Sequence, residues 1–247
     1  MLGQALWLEI PPMTDTVDLR AVQALVFDYY GTVVDMQAGL TEAIRPFLTE
    51  KGYTGEPGRV VTWWRRTHFE DSMIDALLHR EHTPYREVGR RAVSVTLERA
   101  GIGFTDEEAR WLVAQIERLR PFADVPEALV RLKTRYSLVV LSNGDPDMLE
   151  AGVASSGLEF EHVFSVADAN AFKPHVATYR MAAERLGLQP EQILFVANHV
   201  FDCVGAKSFG MRSAYVNRRR RPFGYSPYQP DLEVPDFRTL ADRLVGG

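Results

Sequence analysis

The chain has 247 residues, 46% of them hydrophobic and 25% charged, which suffices for a full core in one domain or two unequal ones. A net charge of −5 argues against a nucleic-acid surface, and no apolar stretch reaches the length of a membrane span. The single cysteine, Cys203, excludes an internal disulfide and fits a reducing compartment, so a cytoplasmic protein without membrane or nucleic-acid partners is expected.

Residues 1–20, "MLGQALWLEIPPMTDTVDLR", carry no basic n-region and too short an apolar run for a secretion signal. They are expected to form an appended lead-in, with Met13 as a second start. In "ALVFDYYGTVVD", Ala24 to Phe27 suit a strand covered on both faces. The Gly31-Thr32 turn then leaves Asp28 at the carboxyl end of that strand, where open α/β sheets place their ligands. Taken alone, Asp28 reads equally well as the cap of a turn.

From Met36 to Arg120 the pattern is helical. "GRVVTWWRRTHFEDSMIDALLH" spaces Val60, Trp64, Met73 and Leu77 as one apolar face. Thr105 with Glu108 predicts a capping box, and Asp124 with Glu127 repeats the signal. Beyond it strand and helix alternate through "SLVVLSN", "DPDMLEAGVASSG", "HVFSV", "HVATYRMAAERLG", "ILFVA", "FDCVGAKSFG" and "SAYVN", the signature of a parallel sheet. The expected fold is therefore α/β: a Rossmann-like, doubly wound parallel sheet core with an inserted helical cap domain. The core would take 21–35 and 121–247, and the cap 36–120. The one charge run, "NRRRRPFG", reads as a solvated loop, with a phosphate or nucleic-acid site as the minor alternative.

Polar residues sit at three further strand ends or beside them. "VVLSNGDP" ends on Ser142 and Asn143, with Asp145 and Pro146 opening a helix. "AFKPHVATY" places Lys173 before a proline, outside regular helix, and "FVANHVFD" ends on Asn198 and His199 with Asp202 a turn later. Each reads as turn or cap by itself; their convergence on one edge of one sheet is what makes a site.

Asp28-Tyr29-Tyr30-Gly31-Thr32, Ser142-Asn143, Lys173-Pro174 and Asp202 resemble the four ordered motifs of the haloacid dehalogenase superfamily, and within it the L-2-haloacid dehalogenase group. "DYYGTVVD", "WWRR", "RPFADVPEALVRLK", "LSNGDP", "KPHVATY" and "FDCVGAKSFG" carry the likeness from about Val22 to Val234. Phosphatases of the superfamily need a second aspartate where this chain has Tyr30 and an acidic pair where it has Asn198 and Asp202. The resemblance thus implies displacement at carbon, with no metal or other cofactor. Asp28 would attack the α-carbon of a small 2-substituted carboxylate, and water would hydrolyse the aspartyl ester. Lys173 would hold Asp28 ionised, supported by Tyr179. Thr32 and Ser142 would bond the Asp28 oxygens or the substrate carboxylate, and Tyr30 and Asn198 would complete the substrate site. Asp202 would position or activate the water, and Arg65 and Asn143 would face the leaving group. Trp64 reads equally as cap core or as a substrate contact. A homodimer stays open.

Two positions depart from the group, which typically has serine at 197 and asparagine at 199 where this chain has Ala197 and His199. A neutral imidazole, the Asp202 carboxylate and the Trp64 face together suit an amine leaving group. The leading expectation is therefore ring opening of L-azetidine-2-carboxylate to 2-hydroxy-4-aminobutyrate, as in a ring-opening member of this group. The alternative is (S)-2-haloacid dehalogenation; a phosphatase and a non-catalytic binding protein rank below both.

Overall fold

The structure, a computed structural model, describes residues 19–78 and 81–246. The expected lead-in, Met13 included, lies outside the described residues except for its last two positions. Six strands form one parallel sheet: β1 (Ala24–Phe27), β2 (Ser137–Ser142), β3 (His162–Ser165), β4 (Ile193–Ala197), β5 (Arg212–Val216) and β6 (Leu232–Val234). Their order is β3-β2-β1-β4-β5-β6, with Val26 opposite Val139 on one side and Phe195 on the other. The order reverses beside β1, which is where open parallel sheets leave a crevice at their carboxyl ends. Helices α5 (Val125–Leu132), α6 (Pro146–Ser156), α7 (Val176–Leu186), α8 (Val200–Phe209) and α9 (Phe237–Val245) accompany this sheet. All four β1 side chains are fully buried, and the Phe27 ring stacks on Phe237 of α9 at 5.6 Å between centroids.

Between β1 and α5 the chain forms α1 (Met36–Glu50), α2 (Pro57–Leu77), α3 (Tyr85–Arg99) and α4 (Asp106–Ala114). These helices pack chiefly on one another, α2 on α1 and α3, and α3 on α4. The chain leaves and re-enters the sheet region side by side: Asp35 N donates to Arg120 O at 2.9 Å, and Phe122 N to Val33 O at 3.1 Å. A second tie lies at Asp145, whose carboxylate accepts from the backbone of Tyr85 (2.7 Å) and Arg86 (3.1 Å) at the start of α3. Asp145 was expected to cap its own helix, but its side chain makes no cap bond there. The capping box at Thr105 and Glu108 forms, whereas Asp124 makes no side-chain cap and instead accepts from Arg218 and from Phe237 N. Both exceptions have one cause: a carboxylate beside a helix start is also available to donors brought in from elsewhere in the fold.

The α2 stripe departs from expectation as well. Val60 and Trp64 are buried, but further along the helix burial falls on His68, Ser72 and Asp75, while Leu77 is 69% exposed. The polar positions are served internally: Ser72 donates to His68 O at 2.7 Å, and Asp75 accepts from Thr83 Oγ1 at 2.6 Å. Among the described residues no helix is long and apolar enough to cross a membrane.

Where α7 meets α8 the helices approach through Gly205, at which a Cβ would lie 2.4 Å from Tyr179 Oη and 2.8 Å from Pro174 Cβ. Tyr179 is fully buried and cannot swing aside. Gly205→Ala should therefore lower stability in urea unfolding by about 1–3 kcal/mol, the usual cost of overpacking, although alanine is the better helix former.

Candidate active site

Asp28 continues β1 by one residue, its N–H bonded to Val196 O at 3.0 Å, so its side chain emerges at the carboxyl edge of the sheet. Lys173 comes from the segment before α7, where Asn143 Oδ1 accepts its backbone N–H at 3.0 Å. Its ammonium uses three acceptors: Asp28 Oδ1 at 2.9 Å, Asp202 Oδ2 at 2.6 Å and Leu141 O at 2.9 Å. That exhausts its protons. Tyr179 holds the other Asp202 oxygen at 2.7 Å. Lys173 is 1% exposed and Asp202 0%, so the charges lean on one another rather than on water.

The electrostatics follow from that packing. Burial works to raise the Asp28 carboxyl, but the Lys173 ammonium, with His199 and Thr32, outweighs it and holds Asp28 well below the usual carboxylate range. Burial alone would discharge Lys173, yet Asp202 and Asp28 together push its pKa above that of an ordinary lysine. Asp202 is pushed up by burial, with the Asp28 charge adding to the effect and Lys173 opposing it.

The second oxygen of Asp28 takes two donors of a different kind. Thr32 Oγ1 donates to Oδ2 at 2.7 Å, and His199 Nδ1 lies 3.0 Å from the same atom. A carboxylate oxygen can only accept, so Nδ1 carries the proton in this contact. Thr32 Oγ1 in turn accepts from Asn198 N at 2.9 Å, and Asn198 Nδ2 donates to Gly31 O at 3.0 Å. The two strand-end loops are thereby stitched together. Gly31 has φ +89°, and a Cβ there would lie 2.9 Å from the His199 ring and 3.2 Å from Arg65 Nη2. The turn needs glycine both for its conformation and for the room that His199 and Arg65 occupy.

These groups face a cavity of about 580 Å³ between the sheet edge and the helices that follow β1. Of the expected site residues, Asp28, Tyr30, Arg65, Ser142, Asn143, Lys173 and His199 line it. Thr32, Asn198, Asp202 and Tyr179 do not; they hold the lining residues in place. Tyr179 serves Lys173 by way of Asp202, not directly. The expectation that Asp202 activates water meets a geometric obstacle, since it is fully buried behind Lys173 with both oxygens engaged. Trp64 is a correction: it is 1% exposed and does not line the cavity, and its Nε1 donates to Gly89 O at 3.2 Å inside the helical bundle.

The sequence reading missed Tyr85, His68, Gln37, Phe201, Arg219 and Arg221, all of which line the cavity. Tyr85 stacks on Tyr30 at 5.7 Å with planes only 6° apart, so the second tyrosine after Asp28 builds an apolar wall. His68 Nε2 donates to Tyr85 O at 3.1 Å, and burial keeps the ring neutral, its pKa pushed down to about 3. Arg65 Nη1 donates to Gln37 Oε1 at 3.0 Å. The only local signal for these residues was the charge run at 218–221.

Three comparisons place this geometry. The model of the haloacid dehalogenase-like hydrolases matches residues 22–210. The chain is 36% identical over 199 residues to an (S)-2-haloacid dehalogenase of Xanthobacter autotrophicus, covering 80% of this chain and 76% of that protein. It is 31% identical over 220 residues to haloacetate dehalogenase H-2 of Moraxella sp. strain B, covering 88% of this chain and 95% of that one. Among solved structures it resembles the L-2-haloacid dehalogenase of Xanthobacter autotrophicus with chloropropionic acid covalently bound, at a TM-score of 0.80 and 32% identity over 92% of this chain and 99% of that one. With an aspartate at the end of its first strand, its lysine-bridged carboxylates and a family match spanning most of its length, the chain belongs to the haloacid dehalogenase-like hydrolases.

Proposed function

We propose that the protein hydrolyses short (S)-2-haloacids to (R)-2-hydroxyacids and halide, through an ester on Asp28. The observation that carries this reading is the unequal hydrogen bonding of the two Asp28 oxygens. Oδ2 is saturated by Thr32 and His199, whereas Oδ1 has Lys173 alone and keeps a lone pair. Oδ1 attacks Cα from the face opposite the halogen, the configuration inverts, and the halide departs with the bonding electrons toward Arg65 and Asn143. Water then adds to the Asp28 carboxyl carbon. At that step Oδ2 is the ester carbonyl oxygen, and its two donors become an oxyanion hole for the tetrahedral intermediate.

This role also accounts for His199. The imidazole supplies an N–H to Oδ2, as the amide of an asparagine would, so the departure at this position keeps the donor. The amine-leaving-group reading correspondingly loses its supports. Trp64 lies inside the bundle, Asp202 is consumed by Lys173 and Tyr179, and Arg65 at the cavity wall repels an ammonium. The helices from Met36 to Arg120 serve in this reading as the cap that closes the site over its substrate.

In single turnover with (S)-2-chloropropionate in heavy-oxygen water, label should enter Asp28 before it appears in product on later turnovers. Asp28→Asn should lower kcat at least about 10³-fold while the protein still folds. Unlabelled Asp28 with labelled first-turnover product would exclude the ester.

Halide release, which reports ester formation, should stay flat from neutral pH to about pH 10, because Lys173 loses its proton only above the ordinary lysine range. The sign is fixed by the raised value: a basic limb with its midpoint below about pH 9 would mean that the ammonium is not clamped.

His199→Phe removes one of the two Oδ2 donors and should slow ester hydrolysis about 10²–10³-fold, so that an adduct of Asp28 accumulates by intact mass. His199→Asn keeps an N–H and should recover most of that loss. Equal losses for the two variants would separate His199 from the oxyanion.

A further inference from the structure

The four arginines of "NRRRRPFG" have different fates. Arg218 is committed to the fold: its Nη1 reaches both Asp124 oxygens, at 2.8 and 2.9 Å, and its guanidinium lies 4.0 Å from the centre of the Phe122 ring. Arg220 takes the left-handed conformation, φ +49°, which turns the chain between its neighbours. Arg219 and Arg221 line the catalytic cavity and Arg220 does not. The turn is tied down. Asn217 Nδ2 donates to Arg221 O at 2.8 Å and to Glu233 at 2.7 Å, and Asn217 Oδ1 accepts from Arg221 N at 2.9 Å.

Arg219 and Arg221 are exposed where they line the cavity, and among the described residues neither forms an ion pair. Among the described residues Asp28 is the only carboxylate lining the cavity, and it is already held by Lys173. Arg65 bonds the neutral amide of Gln37, its Nε has no partner among the described residues, and burial first, then the Arg219 cation, weigh against its charge. Arg66, also at the wall, is paired with Glu70 at 2.8 Å. Three guanidinium groups, Arg65, Arg219 and Arg221, therefore line the cavity without a direct ion pair among the described residues, Asp35 and Asp28 acting on Arg65 only through their field. A three-carbon haloacid has six heavy atoms and occupies on the order of 100 Å³, scaled from the ~30 Å³ share of a water molecule. It brings one carboxylate to a cavity of about 580 Å³.

We infer that the preferred substrate is a dianion, a 2-halodicarboxylic acid whose second carboxylate is received by Arg219 and Arg221. The inference rests on the dehalogenase reading and deepens it. Asp28 Oδ1 forms the bond to Cα as the carbon–halogen bond breaks, and the halide leaves with its electron pair. Water added at the Asp28 carboxyl carbon then returns the carboxylate and yields a 2-hydroxydicarboxylate and one proton. A planar guanidinium pair on a tied loop suits a carboxylate at the far end of the substrate, and it excludes a cationic tail.

The test compares (S)-2-chlorosuccinate with (S)-2-chlorobutyrate, which has the same four-carbon chain without the second charge. The dicarboxylate should show at least tenfold higher kcat/KM, expressed mainly in KM and shrinking as salt is raised. Replacing both arginines, Arg219→Gln with Arg221→Gln, should cost the dicarboxylate at least tenfold more than the monocarboxylate. Equal or better use of chlorobutyrate, or a preference that survives the double substitution, would overturn the inference. If neither acid is hydrolysed, the dehalogenase reading itself falls, and calorimetry with malate and 2-hydroxybutyrate decides the anion site separately. Tighter binding of malate that vanishes in the double variant supports the site; equal binding of the two removes it.

Discussion

One buried ammonium organises the whole site. Lys173 is held between Asp28 and Asp202 with Leu141 O completing its shell, and each of these acceptors belongs to a different strand end or the helix after it. The ion group is costly to bury and stable only when complete, because removing any member leaves an uncompensated charge. That constraint accounts for Tyr179 behind Asp202, for the close helix approach at Gly205, and for the Asn143 bond that fixes the Lys173 backbone. It also divides the two acids by position. Asp28 keeps one edge toward the cavity, whereas Asp202 is fully buried behind Lys173 and does not line it.

The same arrangement explains why a loop with a histidine tolerates a departure from the group's usual residue. What Asp28 accepts at Oδ2 is a donor in the right place, and an imidazole N–H at 3.0 Å supplies it. Residue type at such a position says less about the leaving group than the direction of the hydrogen bond does. The identity of the bond broken is better read from the cavity walls, which are cationic and aromatic.

The sheet and the juxtaposition of Asp28 with Lys173 were legible in the sequence because their signals are local. β1 is an apolar run ended by an acid and a Gly-Thr turn, and Lys173 precedes a proline that keeps it off the helix. Residues recruited over long distances were not. Asp124 and Asp145 look like caps and are claimed by Arg218 and by the start of α3. His68, Ser72 and Asp75 look like the polar face of α2 and are its buried face, because α3 and the loop before it bring partners to His68 and Asp75 while Ser72 bonds back to His68 O within the helix. The arginine run is exposed at Arg219 to Arg221, as its composition suggests, but nothing in its own sequence reveals that the turn tied by Asn217 also brings Arg219 and Arg221 to the cavity wall. In the opposite sense Trp64, beside Arg65, suggested a shared role, whereas neighbouring helical positions face apart: one fills the bundle and the other reaches the cavity.

The paired backbone strands at Asp35–Arg120 and Val33–Phe122 have an evolutionary consequence. Because the helical segment begins and ends at one point, a short turn could replace it without altering strand order, register or the Lys173 ion group. Exchange of that segment would change Tyr85, His68, Arg65 and Gln37 as a set while Asp28 and Lys173 stayed as they are. The cavity is thus walled by two separable pieces of chain, one carrying Tyr85, His68, Arg65 and Gln37 and the other Asp28, Lys173, Arg219 and Arg221.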